Sequence, residues 1–311
     1  MTGPEPFPVE ILHRPGAVLR MRPKTRGTFV TAQTQRVYAE AFGTGLVMDV
    51  LRPAKAANGA AIIDVVSSGW QSDRVVYNEH LGFGLCDALC ARGFTVFAML
   101  PGSSNLFTGP EMVRHVHAAI RHVRAHAAEF GIDPVRLGLV GASAGGHLAA
   151  LAALTPQAGR PESRDAWRRP GSDVSAVAAF FPPSDLVDFW GVRLDRFQVE
   201  GMDVPGLLFR GGLSGRTERE ILARLEELSP ARVAARFHER HPDTVPPPLM
   251  LFHGAVDRVV PLEHSERLRD AWRSVGGRAE LRVHEGADHA WTDNGAELEA
   301  TAEWFEKNLT R

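Results

Sequence analysis

Five consecutive small residues, Gly141-Ala142-Ser143-Ala144-Gly145, carry the sharpest chemical signal in this 311-residue chain. They form a G-x-S-x-G pattern between an apolar run that reads as a strand, Arg136 to Val140, and an Ala/Leu run that reads as a helix, Gly145 to Leu154. A serine in such a strand-to-helix turn takes a strained backbone conformation, and side chains two residues to either side of it would collide. Glycine at 141 and 145 removes that collision. The turn also sets Ser143 at a helix N-terminus, where unpaired N–H groups favour a developing oxyanion. A serine hydroxyl is a weak nucleophile without a base, and the base needs an orienting carboxylate. Two downstream loops offer both. His253-Gly254-Ala255-Val256-Asp257 follows the strand-like run Leu249 to His253, and Gly286-Ala287-Asp288-His289 follows Ala279 to His284. Each sets a polar residue just past the C-terminal end of a strand, in the chain order Ser143, Asp257, His289.

Other residues compete for these roles. Asp288 adjoins His289 and is badly placed to accept from its neighbour's imidazole. Asp185 and Asp188 lie near the end of another strand and are the rival acids. His253 ends its strand and reads as a core histidine or one supporting the site, while His147, on the helix after Ser143, reads as structural. His115, His117, His122 and His126 share one helical stretch, and His122 with His126 has a metal-compatible i,i+4 spacing. No carboxylate or thiolate cluster accompanies them, so the expectation is a solvated or partly buried face and no metal. Cys86 and Cys90 stand four apart in a helix, where parallel Cβ vectors suit a disulfide poorly. Two free buried thiols in a reducing compartment are expected.

These side chains need a scaffold that brings strand ends together. Short β-type runs alternate with longer helical patterns, which argues for an α/β layered sheet. Eight strand-like runs occur: 28–38, 45–51, 60–66, 94–100, 136–140, 174–181, 249–253 and 279–284. Helices are expected over 72–92, stopped by Gly93, and from the Thr108/Glu111 capping box to Phe130, stopped by Gly131. Further helices are expected after Ser143, over 261–275, and over 296–309. Residues 184–246 break the alternation, with glycines, prolines, buried-type aromatics and one helical stretch near 217–228; they read as a lid over the strand ends. Residues 1–27 read as a proline-rich arm without the apolar run of a secretory signal. With 35 basic against 37 acidic residues the formal charge is −2, which excludes a basic surface as the main device, and nucleic acid is not an expected partner. No run suits a membrane span, and a cytoplasmic protein is expected.

Taken together, Ser67-Ser68-Gly69-Trp70 after the third strand, the elbow GASAGGHLA, the loop HGAVDRVVP and the final GADHAW resemble the α/β-hydrolase superfamily. Within it the likeness is to bacterial serine esterases of the feruloyl/acetyl-esterase and hormone-sensitive-lipase-like groups, over about residues 40 to 309 apart from the insertion. The resemblance implies one domain over 1–311, with a mostly parallel eight-stranded sheet, helices on both faces and an inserted lid. It implies Ser143 as nucleophile, His289 as base and Asp257 as orienting acid. The oxyanion hole would come from Gly69, Trp70 and Ala144, and the substrate pocket from Ser68, Trp70 and Trp190. Lipase-like members usually carry His-Gly-Gly in this loop; here Ser67-Ser68 takes the first two places. The expected activity is carboxylic-ester hydrolysis through an acyl-enzyme, with a small-molecule ester as substrate, no cofactor, and self-association left open. The alternatives are a prolyl-oligopeptidase-like small-peptide or aminoacyl hydrolase, an acyltransferase, and a catalytically silent binding protein on the same fold.

Overall fold

The computed structural model describes residues 27–197 and 202–309, so the arm expected over 1–27 lies almost wholly outside the described residues. Along the chain run β1 (Phe29–Ala41), β2 (Thr44–Pro53), β3 (Ala61–Val65), α1 (Arg74–Phe83), α2 (Leu85–Ala91) and β4 (Thr95–Met99). Next come α3 (Gly109–Ala125), α4 (Ala127–Phe130), β5 (Leu137–Ala142), α5 (Ala144–Leu154) and β6 (Ala176–Phe180). The insertion holds α6 (Val204–Leu208), α7 (Glu218–Glu227), α8 (Pro230–Ala235) and α9 (Phe237–Arg240). The chain closes with β7 (Leu249–Gly254), α10 (Leu262–Ser274), β8 (Ala279–His284) and α11 (Gly295–Leu309).

The eight strands make one sheet in the order β1-β2-β4-β3-β5-β6-β7-β8. The β1–β2 and β2–β4 pairs are antiparallel, and every pair from β4–β3 to β7–β8 is parallel. Strands buried on both faces need continuous apolar runs, and β3, β4 and β6 are buried at every residue. One face packs on α3, α5, α8 and α10 through Val116, Ile120, Leu148, Leu151, Leu268 and Trp272. The other packs on α1, α2 and α11 through Val76, Leu85, Leu89, Leu298 and Phe305. Because the central strands are parallel, β3, β5, β7 and β8 all end at the same sheet edge. Strand order reverses direction between β3 and β5, the position where open sheets form a ligand crevice.

Three expectations need adjustment. The helix expected over 72–92 is two helices, because Gly84 turns left-handed at φ +91° where Leu298 of α11 packs against it. The helix expected to run to Phe130 breaks at His126, whose ring Nδ1 bonds the His122 carbonyl at 2.8 Å. Among the described residues of 184–246 there are four α-helices where one was expected. Leu186, Phe189, Leu194, Leu207, Leu208 and Leu225 bury themselves in the core that also holds α3 and α5, so the segment extends that core.

The start of α1 anchors the loop that precedes it. Asp73 caps the helix, accepting from the N–H groups of Val75 and Val76 at 2.8 and 2.9 Å. Arg74 then makes a two-pronged bond to Asp49 of β2 at 2.8 and 2.9 Å, and Asp49 is only 3% exposed. Removing one partner of such a pair strands the other charge. Asp49→Ala is therefore expected to cost about 3 kcal/mol, read as a lower urea midpoint with unchanged slope. A loss below about 1 kcal/mol would contradict this anchoring role.

Candidate active site

Ser143 follows β5 directly and caps α5 with φ +51° and ψ −122°, a conformation that L-residues avoid. It persists because its surroundings leave no alternative. The Ser143 N–H donates to the Phe180 carbonyl at 2.8 Å, and its own carbonyl accepts from the His147 N–H at 2.9 Å. A β-carbon on Gly141 would overlap the Gly145 carbonyl group, and one on Gly145 would overlap the carbonyl oxygen of Val65. The two glycines are thus required by close backbone approach.

His289 arrives from the loop after β8 and Asp257 from the loop after β7. The Ser143 hydroxyl lies 3.1 Å from His289 Nε2, and His289 Nδ1–H donates to Asp257 Oδ2 at 2.7 Å. The Asp257 side chain is fully buried, and its Oδ1 accepts from the N–H groups of Val259 and Val260 at 2.8 and 2.9 Å. Burial alone would push this carboxyl up. Hydrogen bonds from His253 and His289 and the charge of His289 outweigh it and hold the group well below the usual carboxylate range. A carboxylate held ionised in this way fixes the Nδ1–H tautomer and leaves Nε2 free to accept the serine proton.

His253 is buried behind the acid. It accepts from Ser265 Oγ at 2.7 Å, donates from Nε2 to the Val260 carbonyl at 2.9 Å, and lies 3.4 Å from Asp257 Oδ2. Asp288 staples the two loops together: it accepts from the Arg258 N–H at 2.9 Å, the Arg258 Nε at 2.6 Å and the His289 N–H at 2.8 Å. The rival acids are committed elsewhere. Asp185 pairs with Arg232 at 2.7 Å and Asp188 with Arg267 at 2.8 Å.

The loop after β3 sits beside the elbow, its Ser67 carbonyl accepting from the Gly145 N–H at 3.1 Å. Ser68 and Gln71 pair through both backbone groups, closing a tight turn in which Gly69 and Trp70 are left-handed at φ +55° and +59°. Among the described residues, the N–H groups of Gly69, Trp70 and Ala144 have no hydrogen-bond partner. The Trp70 side chain, expected to wall the pocket, turns inward instead. It is 2% exposed, and its indole N–H donates to His147 Nδ1 at 3.1 Å. Trp190 is 45% exposed and strained at φ +63°, held by its indole N–H on the Val259 carbonyl at 3.1 Å, beside the acid loop. Met202 of the insertion lies against Gly69.

One residue escaped the sequence reading. Phe181 follows β6 at φ +39°, and its ring centroid stands 4.4 Å from that of His289 and 5.5 Å from that of Trp291. An apolar residue at a strand end carries no type signal; only its paired position beside the elbow strand marks it. The four histidines of α3 and its C-cap are otherwise engaged. His115 bonds the Pro101 carbonyl, His117 bonds Ser172, and His122 stacks on His126. Among the described residues no group of three or more His, Cys, Asp or Glu side chains is arranged to hold a metal. Cys86 and Cys90 are free and buried, and burial pushes both thiols up.

Two cavities lie elsewhere and include none of the three polar residues. One of about 540 Å³ lies between α3, α5 and the insertion helices, lined among others by Arg114, His117, Leu228 and Phe237. One of about 270 Å³ lies between residues 104–108 and 203–212, and its Ser104 donates its N–H to the Trp70 carbonyl at 2.9 Å. Among the described residues no helix is long and apolar enough to cross a membrane.

A family model described as BD-FAE matches residues 48–272, more than half of the chain, which takes in Ser143 and Asp257 but stops short of His289. Esterase LipC of Mycobacterium tuberculosis is 30% identical over 231 residues, covering 68% of this chain and 48% of LipC. A truncated carbohydrate esterase from gut microbiota superposes with a TM-score of 0.74 at 23% identity, covering 93% of this chain and all of that one. The propionate-bound esterase Est2 of Thermogutta terrifontis superposes with a TM-score of 0.61 at 26% identity, covering 88% of this chain and 90% of its own. The chain spans between about a third and a half of the length of the first curated relatives it matches. With the sheet order, the strained serine elbow and the family match in agreement, the chain belongs to the BD-FAE family and has the α/β-hydrolase fold.

Proposed function

We propose that this chain is a carboxylic-ester hydrolase in which Ser143, His289 and Asp257 act as a catalytic triad through an acyl-enzyme. One observation carries the reading: the unbroken line from Asp257 through His289 to Ser143, at 2.7 and 3.1 Å, ending on a serine held in a strained turn at a helix N-terminus. The esterase names of LipC and Est2 support the same activity.

Ser143 Oγ attacks the ester carbonyl carbon as its proton passes to His289 Nε2. The imidazolium that forms is stabilised by Asp257, which stays a carboxylate throughout. Negative charge on the former carbonyl oxygen is met by the N–H of Ala144 and by N–H groups of Gly69 and Trp70. His289 then gives its proton to the leaving alkoxide, and the alcohol departs. Water attacks the acyl-enzyme with His289 again as base, and the carboxylic acid leaves as Ser143 recovers its proton. No metal or organic cofactor takes part. The substrate is a small-molecule ester, and Met202 and Trp190 border the space it enters, with the 184–246 segment as its cover.

A hydrolysis screen over p-nitrophenyl esters of increasing chain length, with aryl and sugar acetates and an aminoacyl amide added, tests the reaction class. Esters are expected to turn over and the amide not; the reverse order overturns the reading. Ser143→Ala should abolish turnover with folding intact, and His289→Ala should be nearly as severe. Asp257→Asn is expected to lower kcat by about 10⁴-fold. A mild Asp257→Asn beside a severe Asp185→Asn would mean that another acid serves.

The loop after β3 has its own test. Valine at 69 cannot take φ +55° without strain, and its side chain would press on Met202. Loss of one oxyanion donor typically costs about 10² to 10³ in kcat, so Gly69→Val is expected to cut kcat by that order with little change in KM. An unchanged kcat would show that this loop does not hold the oxyanion.

A further inference from the structure

His147 occupies a place that the triad does not explain. It lies one helical turn beyond Ser143 on α5, fully buried, and both ring nitrogens are committed. Nδ1 accepts from the Trp70 indole at 3.1 Å, and Nε2–H donates to the Leu228 carbonyl at 2.7 Å. The two rings meet edge to face, with centroids 5.4 Å apart and planes at 89°. Trp70 is half of the left-handed Gly69-Trp70 pair, and Leu228 is the residue that ends α7 in the insertion. One imidazole on the helix behind the serine thus reaches both the loop beside it and the end of α7 in the insertion.

We propose that His147 is a positioning residue that holds the loop 67–71 in its left-handed turn and ties that turn to the insertion. This rests on the reading of that loop as the oxyanion site. A tryptophan at φ +59° stays there only if its surroundings hold it: the Ser68–Gln71 backbone pair closes the turn around it, the Ser104 N–H bonds its carbonyl at 2.9 Å, and, among the described residues, His147 alone holds its side chain by a hydrogen bond. The direction of both His147 bonds requires the neutral tautomer with the proton on Nε2. Burial pushes this imidazole down to about 4, so that form persists across ordinary assay conditions. Without the Nδ1 acceptor a buried indole N–H loses its partner, and the turn is freed to relax in the direction that moves its N–H groups off the carbonyl oxygen.

The two bonds are separable by substitution. Asparagine at 147 keeps an acceptor near the Nδ1 position but is too short to reach Leu228; leucine keeps apolar bulk and makes neither bond. Against a small acetate ester, His147→Leu is expected to lower kcat by about 10²-fold with KM within about threefold, and His147→Asn to recover most of that loss. Trp70→Phe, which keeps one aromatic ring but removes the donor together with part of the indole's bulk, should lower kcat by about tenfold. Adding His147→Leu to Trp70→Phe should then cost much less than it does alone. In ¹⁵N-tryptophan spectra of the full chain, the indole signal that disappears in Trp70→Phe should move in His147→Leu and stay near its wild-type position in His147→Asn. An unmoved indole signal in His147→Leu, equal kcat losses for the asparagine and leucine variants, unchanged kcat in Trp70→Phe, or a loss confined to KM would each overturn the proposal. If the wild-type chain hydrolyses no ester, the functional reading fails by itself, and the indole spectra still decide whether His147 holds the turn.

Discussion

Everything at the carboxyl edge of the sheet depends on one steric constraint, the left-handed backbone of Ser143 between two glycines that cannot bear side chains. Gly141 faces the Gly145 carbonyl and Gly145 faces the Val65 carbonyl, so β5, α5 and the end of β3 approach more closely than any other residues would permit. That proximity sets the loop 67–71 beside the serine and gives His147 its reach to Trp70. The strain is stored in a rigid frame: β5 lies between β3 and β6, and Ser143 itself bonds the end of β6. A looser sheet would let the turn relax.

The second constraint is electrostatic. Asp257 is a buried acid, and burial alone would push its carboxyl up. Two backbone N–H groups and two histidines surround it, and their bonds decide its charge against the desolvation cost. His253 and His289 therefore divide the labour at one carboxylate. The first is fully enclosed and bound to Ser265 and Val260, while the second is partly exposed and reaches the serine. Asp288 keeps the two loops in register from outside by gripping the backbone of Arg258 and His289.

Much of this was legible in the residue order because the chemistry and the sterics leave local marks. Glycines flanking a serine, and polar residues just beyond apolar strands, are patterns a linear reading detects, and the three side chains so picked do meet in space. The central strands were legible for the same reason, being short apolar runs set between turns or helical patterns. What stayed hidden depends on contacts far apart in sequence. At the break, Gly84 packs beside Leu298, more than two hundred residues away, and α6, α8 and α9 are too short to carry a clear helical period. Trp70 reads as a wall of the substrate pocket until His147 supplies a buried acceptor for its indole. Phe181 looks like any strand-end apolar residue until β8 brings His289 to its ring.

The central claim is that Ser143 is activated as a nucleophile by its position and its neighbours. Covalent trapping with a fluorophosphonate, followed by intact-mass and peptide mass spectrometry, tests it most directly. The account predicts a single adduct per chain, carried by the peptide that contains Ser143, with ester hydrolysis lost in proportion to labelling. A chain that hydrolyses esters yet takes no label, or carries it on a different residue, would contradict the account.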